Sequence, residues 1–203
     1  MKVIGLVGGS GSGKSALCDI LARRGIATVD CDKRTRVVQE KGTPCFLELV
    51  ERVGGEILFP DGNVNRQALS ALVFSDKEAL SDLNAIMHKH ILDALRRRLA
   101  SLSKTERFVV VEAPVLFESG FDRECDLVVA LVSERKEERI MERDRLSESA
   151  ARARLENQSS DEELIEKCDL VLTNDTALLH LEEEADRLIA CVEQLIAEEG
   201  EAL

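Results

Sequence analysis

The chain has 203 residues, of which 44% are hydrophobic and 33% are charged, a balance typical of a folded globular protein and too apolar for a disordered one. Its formal net charge is -12, and only 3% of its residues are aromatic, with no Trp or Tyr. An acidic surface repels polyanions and base-stacking side chains are scarce, so nucleic acid and anionic membranes are not expected as partners. The length predicts a single domain with appendages.

Cysteine usage and the first residues bear on where the protein acts. Six cysteines occur without a CxxC pair or any spacing typical of metal ligands, which favours reduced, packed thiols. The first apolar segment, residues 3–7, ends at a cluster of glycines and is too short for a secretory signal or a membrane span. We therefore expect a cytoplasmic protein without membrane contact, as a monomer or a weak homo-oligomer.

Short apolar segments alternate with longer segments of helical period along the chain. The apolar segments, rich in Val, Ile and Leu on both faces, predict strands near residues 3–7, 27–30, 108–112, 127–132 and 170–172. This alternation is typical of a parallel sheet with helices on both faces. The predicted fold class is thus α/β, with three layers: a five-stranded parallel sheet and a layer of helices on each of its faces.

The segment between the second and third strands has helical signals and no strong strand. Thr43 precedes Pro44, a pattern typical of a helix start, and Asn65 can cap a second helix. Apolar residues over 80–99 then follow the i, i+3, i+4 rhythm of one buried helical face. The sequence predicts a helical insertion at about residues 41–104.

A highly charged segment follows the fourth strand and predicts a helical lid at about residues 134–160. Arg139 and Arg143 are four residues apart and therefore share one face of a helix. Such arginines can reach a transferring phosphoryl group, or they can form surface ion pairs with the interleaved Asp and Glu residues. The predicted last helix, over residues 176–198, completes a core made of residues 1–40, 105–133 and 168–203.

The segment Gly8–Ser15 reads GGSGSGKS and matches the G-x-x-x-x-G-K-[ST] pattern directly after a strand and directly before a helical segment. Glycines allow the backbone to wrap around phosphate oxygens, and the helix beginning near Lys14 presents unbonded N–H groups. Lys14 supplies a charge near the β- and γ-phosphates, and the Ser15 hydroxyl can bind Mg²⁺. The sequence contains no Asn-Lys-x-Asp motif for reading guanine, so ATP is the expected nucleotide.

Carboxylates follow two of the predicted strands. Asp30 and Asp32, two residues apart, can project together from the carboxyl end of the second strand, where ligands bind in open α/β sheets. Either can accept the proton of an attacking hydroxyl, and we favour Asp32 as the catalytic base. Glu112 ends the third strand and can hold Mg²⁺ directly or through water.

An ordered series of motifs along nearly the whole chain resembles the dephospho-coenzyme A kinase family. The matching pieces are Gly8–Ser15, Asp30-Cys31-Asp32, Gly42-Thr43-Pro44, Asp61-Gly62 with Arg66 and Leu69, Leu83-Asn84 leading to His88, residues 114–118, Arg139 with Met141, Arg143 and Asp144, Arg154 with Gln158, and Asn174. The resemblance implies a P-loop kinase that phosphorylates the ribose 3′-hydroxyl of dephospho-coenzyme A with ATP and Mg²⁺. This sequence departs from the family pattern at Ala16, at Cys31 and at Lys89, the last a position where proline is usual.

The resemblance also implies roles for individual residues. Catalysis would involve Asp32, Lys14 and Arg139. ATP would be bound by Gly9, Ser10, Gly11, Ser12, Gly13, Lys14, Ser15, Ala16, Arg143 and Asn174. The acceptor would be bound by Asp32, Arg66, His88, Pro114, Leu116, Phe117 and Glu118, and the metal by Ser15 and Glu112.

Two other functions share these features. A nucleoside or nucleotide kinase would have the same phosphate loop and differ only in the acceptor. A nucleotide-dependent regulatory protein would bind ATP and turn it over slowly, although the carboxylate at position 32 argues against this class.

Overall fold

The structure, a computed structural model, describes residues 1–31, 39–75, 77–113, 115–175 and 178–201. These residues form two compact units. The sheet unit consists of Met1–Asp30 and Leu102–Leu203, and the helical unit consists of Cys31–Ser101. Within the described residues, no helix is both long and apolar enough to cross a membrane.

The sheet unit is built on one parallel sheet, in the order β2-β3-β1-β4-β5. The strands are β1 (Lys2–Val7), β2 (Ala27–Asp30), β3 (Phe108–Glu112), β4 (Leu127–Val132) and β5 (Leu170–Thr173). All four strand pairs are parallel, which confirms the predicted five-stranded parallel sheet. Their carboxyl ends therefore meet at one edge, where the loops that follow β1, β3, β4 and β5 begin.

Two helices cover one face of this sheet: α1 (Lys14–Arg23) and α8 (Leu178–Glu201). Leu17 and Leu21 of α1, together with Leu188 of α8, join Ile4 and Leu131 of the sheet in one buried cluster. Because a β-strand turns successive side chains to opposite faces, the remaining residues of these strands point to the other face, where Val109, Val111 and Ala130 are also buried. The buried apolar residues on both sides explain why these strands read as continuous hydrophobic runs.

The charged segment after β4 forms two helices where the sequence suggested one, and a third, short helix follows it. They are α5 (Lys136–Asp144), α6 (Glu148–Glu156) and α7 (Asp161–Lys167). Arg145 ends α5 with φ 54°, and the hydroxyl of Ser147 then caps α6 by accepting from the Ala150 N–H. Ser160 caps α7 through a reciprocal capping box with Glu163. These local caps divide into separate helices a charged segment that looked continuous in the sequence.

The helical unit contains α2 (Pro44–Val53), α3 (Arg66–Ser75) and most of α4 (Lys77–Leu102). The Thr43 hydroxyl accepts from the Phe46 N–H and Pro44 opens the helix, as the sequence predicts. Asn65 accepts from two N–H groups in the first turn of α3, at 3.1 Å each. Ile57 and Leu69 form a small buried cluster in this unit.

Candidate active site

The phosphate loop runs from the end of β1 into α1, as its motif requires. Gly11 and Gly13 have φ of 79° and 103°, left-handed values that favour glycine, and Gly13 caps α1. The Ser12 N–H donates to the Gly9 carbonyl at 3.2 Å and closes the loop on itself. The loop thus presents a ring of main-chain groups at the N-terminus of a helix, an arrangement that binds anions.

Lys14 is a buried cation inside this loop. Its side chain is held by two of the loop's own carbonyl groups, with Nζ donating to the Gly8 oxygen at 2.7 Å and to the Gly9 oxygen at 3.2 Å. The residue is only 9% exposed, so its charge is directed at the loop rather than at bulk solvent. A positive charge in this position can offset the negative charge of bound phosphates.

A carboxylate and a hydroxyl meet next to the loop. Glu112, at the end of β3, is buried, and its Oε1 accepts a hydrogen bond from the Ser15 hydroxyl at 3.4 Å. Burial, and then the nearby carboxylate of Glu112, raise the pKa of the Cys18 thiol to about 12. The Ser15 hydroxyl and the Glu112 carboxylate are hard oxygen donors, which are the ligands that Mg²⁺ prefers. No cluster of three or more His, Cys, Asp or Glu side chains suited to a metal occurs in the described part of the chain.

The outer side of the phosphate loop rests on Arg139 and Asn174. Arg139 donates through Nη1 to the carbonyl oxygens of Gly11 at 3.3 Å and Ser12 at 3.4 Å. Through Nη2 it donates to the Asn174 main-chain oxygen at 2.7 Å. The Asn174 side-chain amide donates in turn to the Ser12 oxygen at 2.8 Å. Arg139, predicted to be catalytic, and Asn174, predicted to bind ATP, therefore both lie against the loop.

Arg143 of α5 and Gln158, two residues after α6, contact Ser10. The Gln158 amide oxygen accepts from the Ser10 N–H at 2.7 Å, and Arg143 Nη2 donates to the Ser10 hydroxyl at 3.4 Å. Asp144 binds Arg143 through both carboxylate oxygens and also pairs with Arg154. The hydrogen bond from Arg143, followed by that from Arg154, holds the pKa of the Asp144 carboxyl well below its usual range. These contacts join α5 and α6 to the phosphate loop.

The sequence model of the dephospho-CoA kinase family matches residues 2–180. The dephospho-CoA kinase of Syntrophotalea carbinolica is 36% identical over 199 residues, which cover 97% of this chain and 93% of that protein. This chain belongs to the dephospho-CoA kinase family. The predicted resemblance is confirmed.

Solved structures extend this result to the fold. The crystal structure of TT1252 from Thermus thermophilus matches with a TM-score of 0.80 and 29% identity, over 94% of this chain and 96% of that one. The structure of the dephospho-CoA kinase from Campylobacter jejuni matches with a TM-score of 0.70 and 26% identity, over 96% of this chain and 98% of that one. The fold class predicted from the sequence is therefore shared with this family.

The residues that the family resemblance assigns to the acceptor are spread over both units. Arg66 is the first residue of α3, and His88 is half-buried in the middle of α4. Leu116 is fully buried against Gly5 of β1, whereas Phe117 is half-buried and Glu118 is exposed. Asp32 and Pro114 lie outside the described residues. The roles proposed for these residues stay predictions.

One cavity in the helical unit includes a predicted acceptor residue. It has a volume of about 420 Å³ and is lined by Gln39, Glu40, Lys41, Asn63, Val64 and Arg66. Lys41 also donates to the Asp61 main-chain oxygen at 2.8 Å, which holds the turn before α3. The cavity wall is therefore mostly polar, with two cations and one carboxylate.

Lys89 replaces the proline that the dephospho-CoA kinase pattern usually has after His88. In this chain α4 continues through the position without a break, because lysine retains the N–H that a helix requires. The Lys89 ammonium lies 2.9 and 3.0 Å from the two oxygens of Glu48, and His90 Nε2 lies 2.7 Å from one of them. These contacts join α2 to α4.

Sequence reasoning missed two features beside the phosphate loop. Ser133, which follows β4, is 2% exposed and hydrogen-bonds to Arg139 and Asn174. Lys136 pairs with Asp161 at 2.6 Å and its side chain reaches Gly9. The position of Ser133 at the carboxyl end of a central strand was a signal that could have found it.

Proposed function

We propose that this protein transfers the γ-phosphoryl group of ATP to the ribose 3′-hydroxyl of dephospho-coenzyme A, giving coenzyme A and ADP. The observation that carries the proposal is the complete phosphate loop, folded between β1 and α1, in a chain whose residues 2–180 match the dephospho-CoA kinase family. The loop indicates the site of the phosphoryl donor, and membership of the family indicates the acceptor.

The nucleotide phosphates would lie in the phosphate loop. The main-chain N–H groups at the start of α1 donate to phosphate oxygens, and the Lys14 ammonium leaves its carbonyl partners to bind them. This exchange needs little movement, because the ammonium already lies within hydrogen-bonding distance of the loop. Arg139 would stabilise the phosphoryl group, and Arg143, which reaches Ser10, would contact the nucleotide.

Ser15 and Glu112 would hold Mg²⁺, the Glu112 carboxylate either directly or through water. The Ser15 hydroxyl and the buried carboxylate are hard oxygen donors within 3.4 Å of each other, which fits the ion. When bound, Mg²⁺ neutralises charge on the β- and γ-phosphates.

Asp32 would act as the base that accepts the proton of the attacking ribose hydroxyl. Arg66, His88 and residues 114–118 would contribute to binding of the acceptor. Residues 134–160 would form a lid, which the contacts of Arg143 and Gln158 with Ser10 support. A closed lid excludes water, so that ATP is not lost to hydrolysis. Cytoplasmic location and a monomeric or weakly oligomeric state stay predictions from the sequence.

A comparison of acceptors tests the proposal. ADP formation is measured with ATP, Mg²⁺ and either dephospho-coenzyme A or one of a panel of nucleosides, nucleotides and shikimate. Dephospho-coenzyme A should give the highest kcat/KM by a wide margin. Phosphorylation of another acceptor with none of dephospho-coenzyme A would overturn the proposal.

A further inference from the structure

Ser133 occupies the point where the end of β4, the start of α5 and the loop after β5 meet. Its hydroxyl donates to the Asn174 main-chain oxygen at 2.7 Å. It accepts from Arg139 Nη1 at 3.2 Å and from the Arg135 N–H at 3.1 Å. A serine hydroxyl has one proton and two lone pairs, so its whole hydrogen-bonding capacity is used.

Two of the three partners of Ser133, Arg139 and Asn174, support the outer side of the phosphate loop. The Ser12 carbonyl accepts from Asn174 Nδ2 at 2.8 Å and from Arg139 Nη1 at 3.4 Å. In a trans peptide the carbonyl of one residue and the N–H of the next point in opposite directions. Fixing the Ser12 oxygen outward therefore fixes the Gly13 N–H toward the inner side of the loop, where a phosphate binds.

We propose that Ser133 is a positioning residue for nucleotide binding: it orients Arg139 and Asn174 so that they hold the Ser12 carbonyl outward and the Gly13 N–H toward the β-phosphate. Ser133 does not touch the nucleotide. On this account Arg139 acts on the loop as well as on the transferred phosphoryl group. The inference rests on the proposed function only in requiring that the loop binds a nucleotide.

Burial and charge explain why one hydroxyl matters here. Ser133 is 2% exposed and Asn174 is 6% exposed, so water is a poor substitute for a lost partner. One of the lost hydrogen bonds would be to the charged guanidinium group, and such bonds contribute more than neutral ones. Serine to alanine at this position should therefore weaken nucleotide affinity about tenfold.

The test measures equilibrium binding of ADP and of ATP by titration calorimetry, without any acceptor. Ser133→Ala should weaken both nucleotides by the same factor, about tenfold, because the β-phosphate is common to them. Arg139→Lys keeps the positive charge but cannot span the Ser12 and Asn174 oxygens with a fork, so it should have the same effect. Ser101→Ala removes an exposed hydroxyl that donates to the Arg98 carbonyl and accepts from the Arg98 guanidinium, far along the chain from the loop, and should leave both affinities unchanged.

Unchanged ADP affinity in folded Ser133→Ala would overturn the inference, as would a loss confined to ATP. A merely structural role would lower the melting temperature and leave the affinity of the folded protein unaltered. If Ser133→Ala does not fold, Arg139→Lys decides: weaker ADP binding supports the inference, and unchanged ADP binding contradicts it. Both measurements are independent of the acceptor, so a failure of the dephospho-coenzyme A assay would be seen separately.

Discussion

Replacing Gly13 by alanine is a direct perturbation of the phosphate loop. Gly13 has φ 103°, and a Cβ atom built there would lie 2.1 Å from Asn174 Nδ2 and 3.3 Å from Asn174 Cγ. The substitution therefore combines backbone strain with a steric clash. Asn174 is buried and bonded to the Ser12 carbonyl, so it has little freedom to move away.

Gly25 offers a matched control because it has a similar backbone without the clash. Its φ is 81°, and an added Cβ would meet no atom within 4 Å. Gly25→Ala should therefore cost only the left-handed strain, about 1–2 kcal/mol of the free energy of unfolding. Gly13→Ala adds overpacking and should cost about 2–5 kcal/mol in total.

Urea unfolding followed by circular dichroism measures the two free energies, and calorimetry measures ATP affinity in the same variants. Gly13→Ala should be the less stable variant and should lose most of its ATP affinity, whereas Gly25→Ala should bind ATP like the wild type. Asn174→Ala in the Gly13→Ala background removes the clashing atom and should recover part of the lost stability. If Gly13→Ala is no less stable than Gly25→Ala, the packing argument is wrong.

Three further predictions concern the base, a buried thiol and an ion pair. Asp32→Asn should reduce kcat at least a hundredfold with little change in ATP affinity, because a base acts in the transition state; wild-type turnover would remove Asp32 from the mechanism. With a pKa of about 12, Cys18 is about one part in ten thousand thiolate at pH 8, so mass spectrometry should find it unmodified by iodoacetamide in the folded protein and modified in urea; rapid modification in the folded state would contradict this. The Lys89 ammonium lowers the pKa of Glu48 from its ordinary 4.5, so the ion pair stabilises at neutral pH and is lost as the pH falls below that value. The melting temperature of Glu48→Gln should therefore be below that of the wild type at pH 7, and the difference should shrink as the pH falls further below 4.5; a constant difference would refute the ion pair's contribution.

The sheet and the phosphate loop could be predicted because both depend on local sequence. A buried parallel strand needs apolar residues on both faces, so segments such as residues 108–112 stand out from their polar surroundings. The loop motif specifies its own backbone, since the glycines permit the turn and the helix begins at Lys14. Thr43 and Asn65 identified the starts of α2 and α3 through their capping side chains.

Other features depend on contacts between distant parts of the chain and could not be derived from spacing. The sequence suggested one charged helix after β4, because the local break at Arg145 has no glycine or proline to mark it. Ser133 gains its importance from Asn174, 41 residues away, and from a loop more than 100 residues earlier. Leu116 fits the family motif, yet its side chain lies in the core against Gly5.

The position of the transferred phosphate in the product distinguishes the proposed reaction from every other phosphoryl transfer. The wild-type protein is incubated with ATP, Mg²⁺ and dephospho-coenzyme A, and the product is analysed by mass spectrometry and by phosphorus–proton correlated NMR. We predict coenzyme A, with one new phosphate coupled to the proton on the ribose 3′-carbon. A phosphate on any other position, or ATP consumption that leaves dephospho-coenzyme A unmodified, would contradict the account.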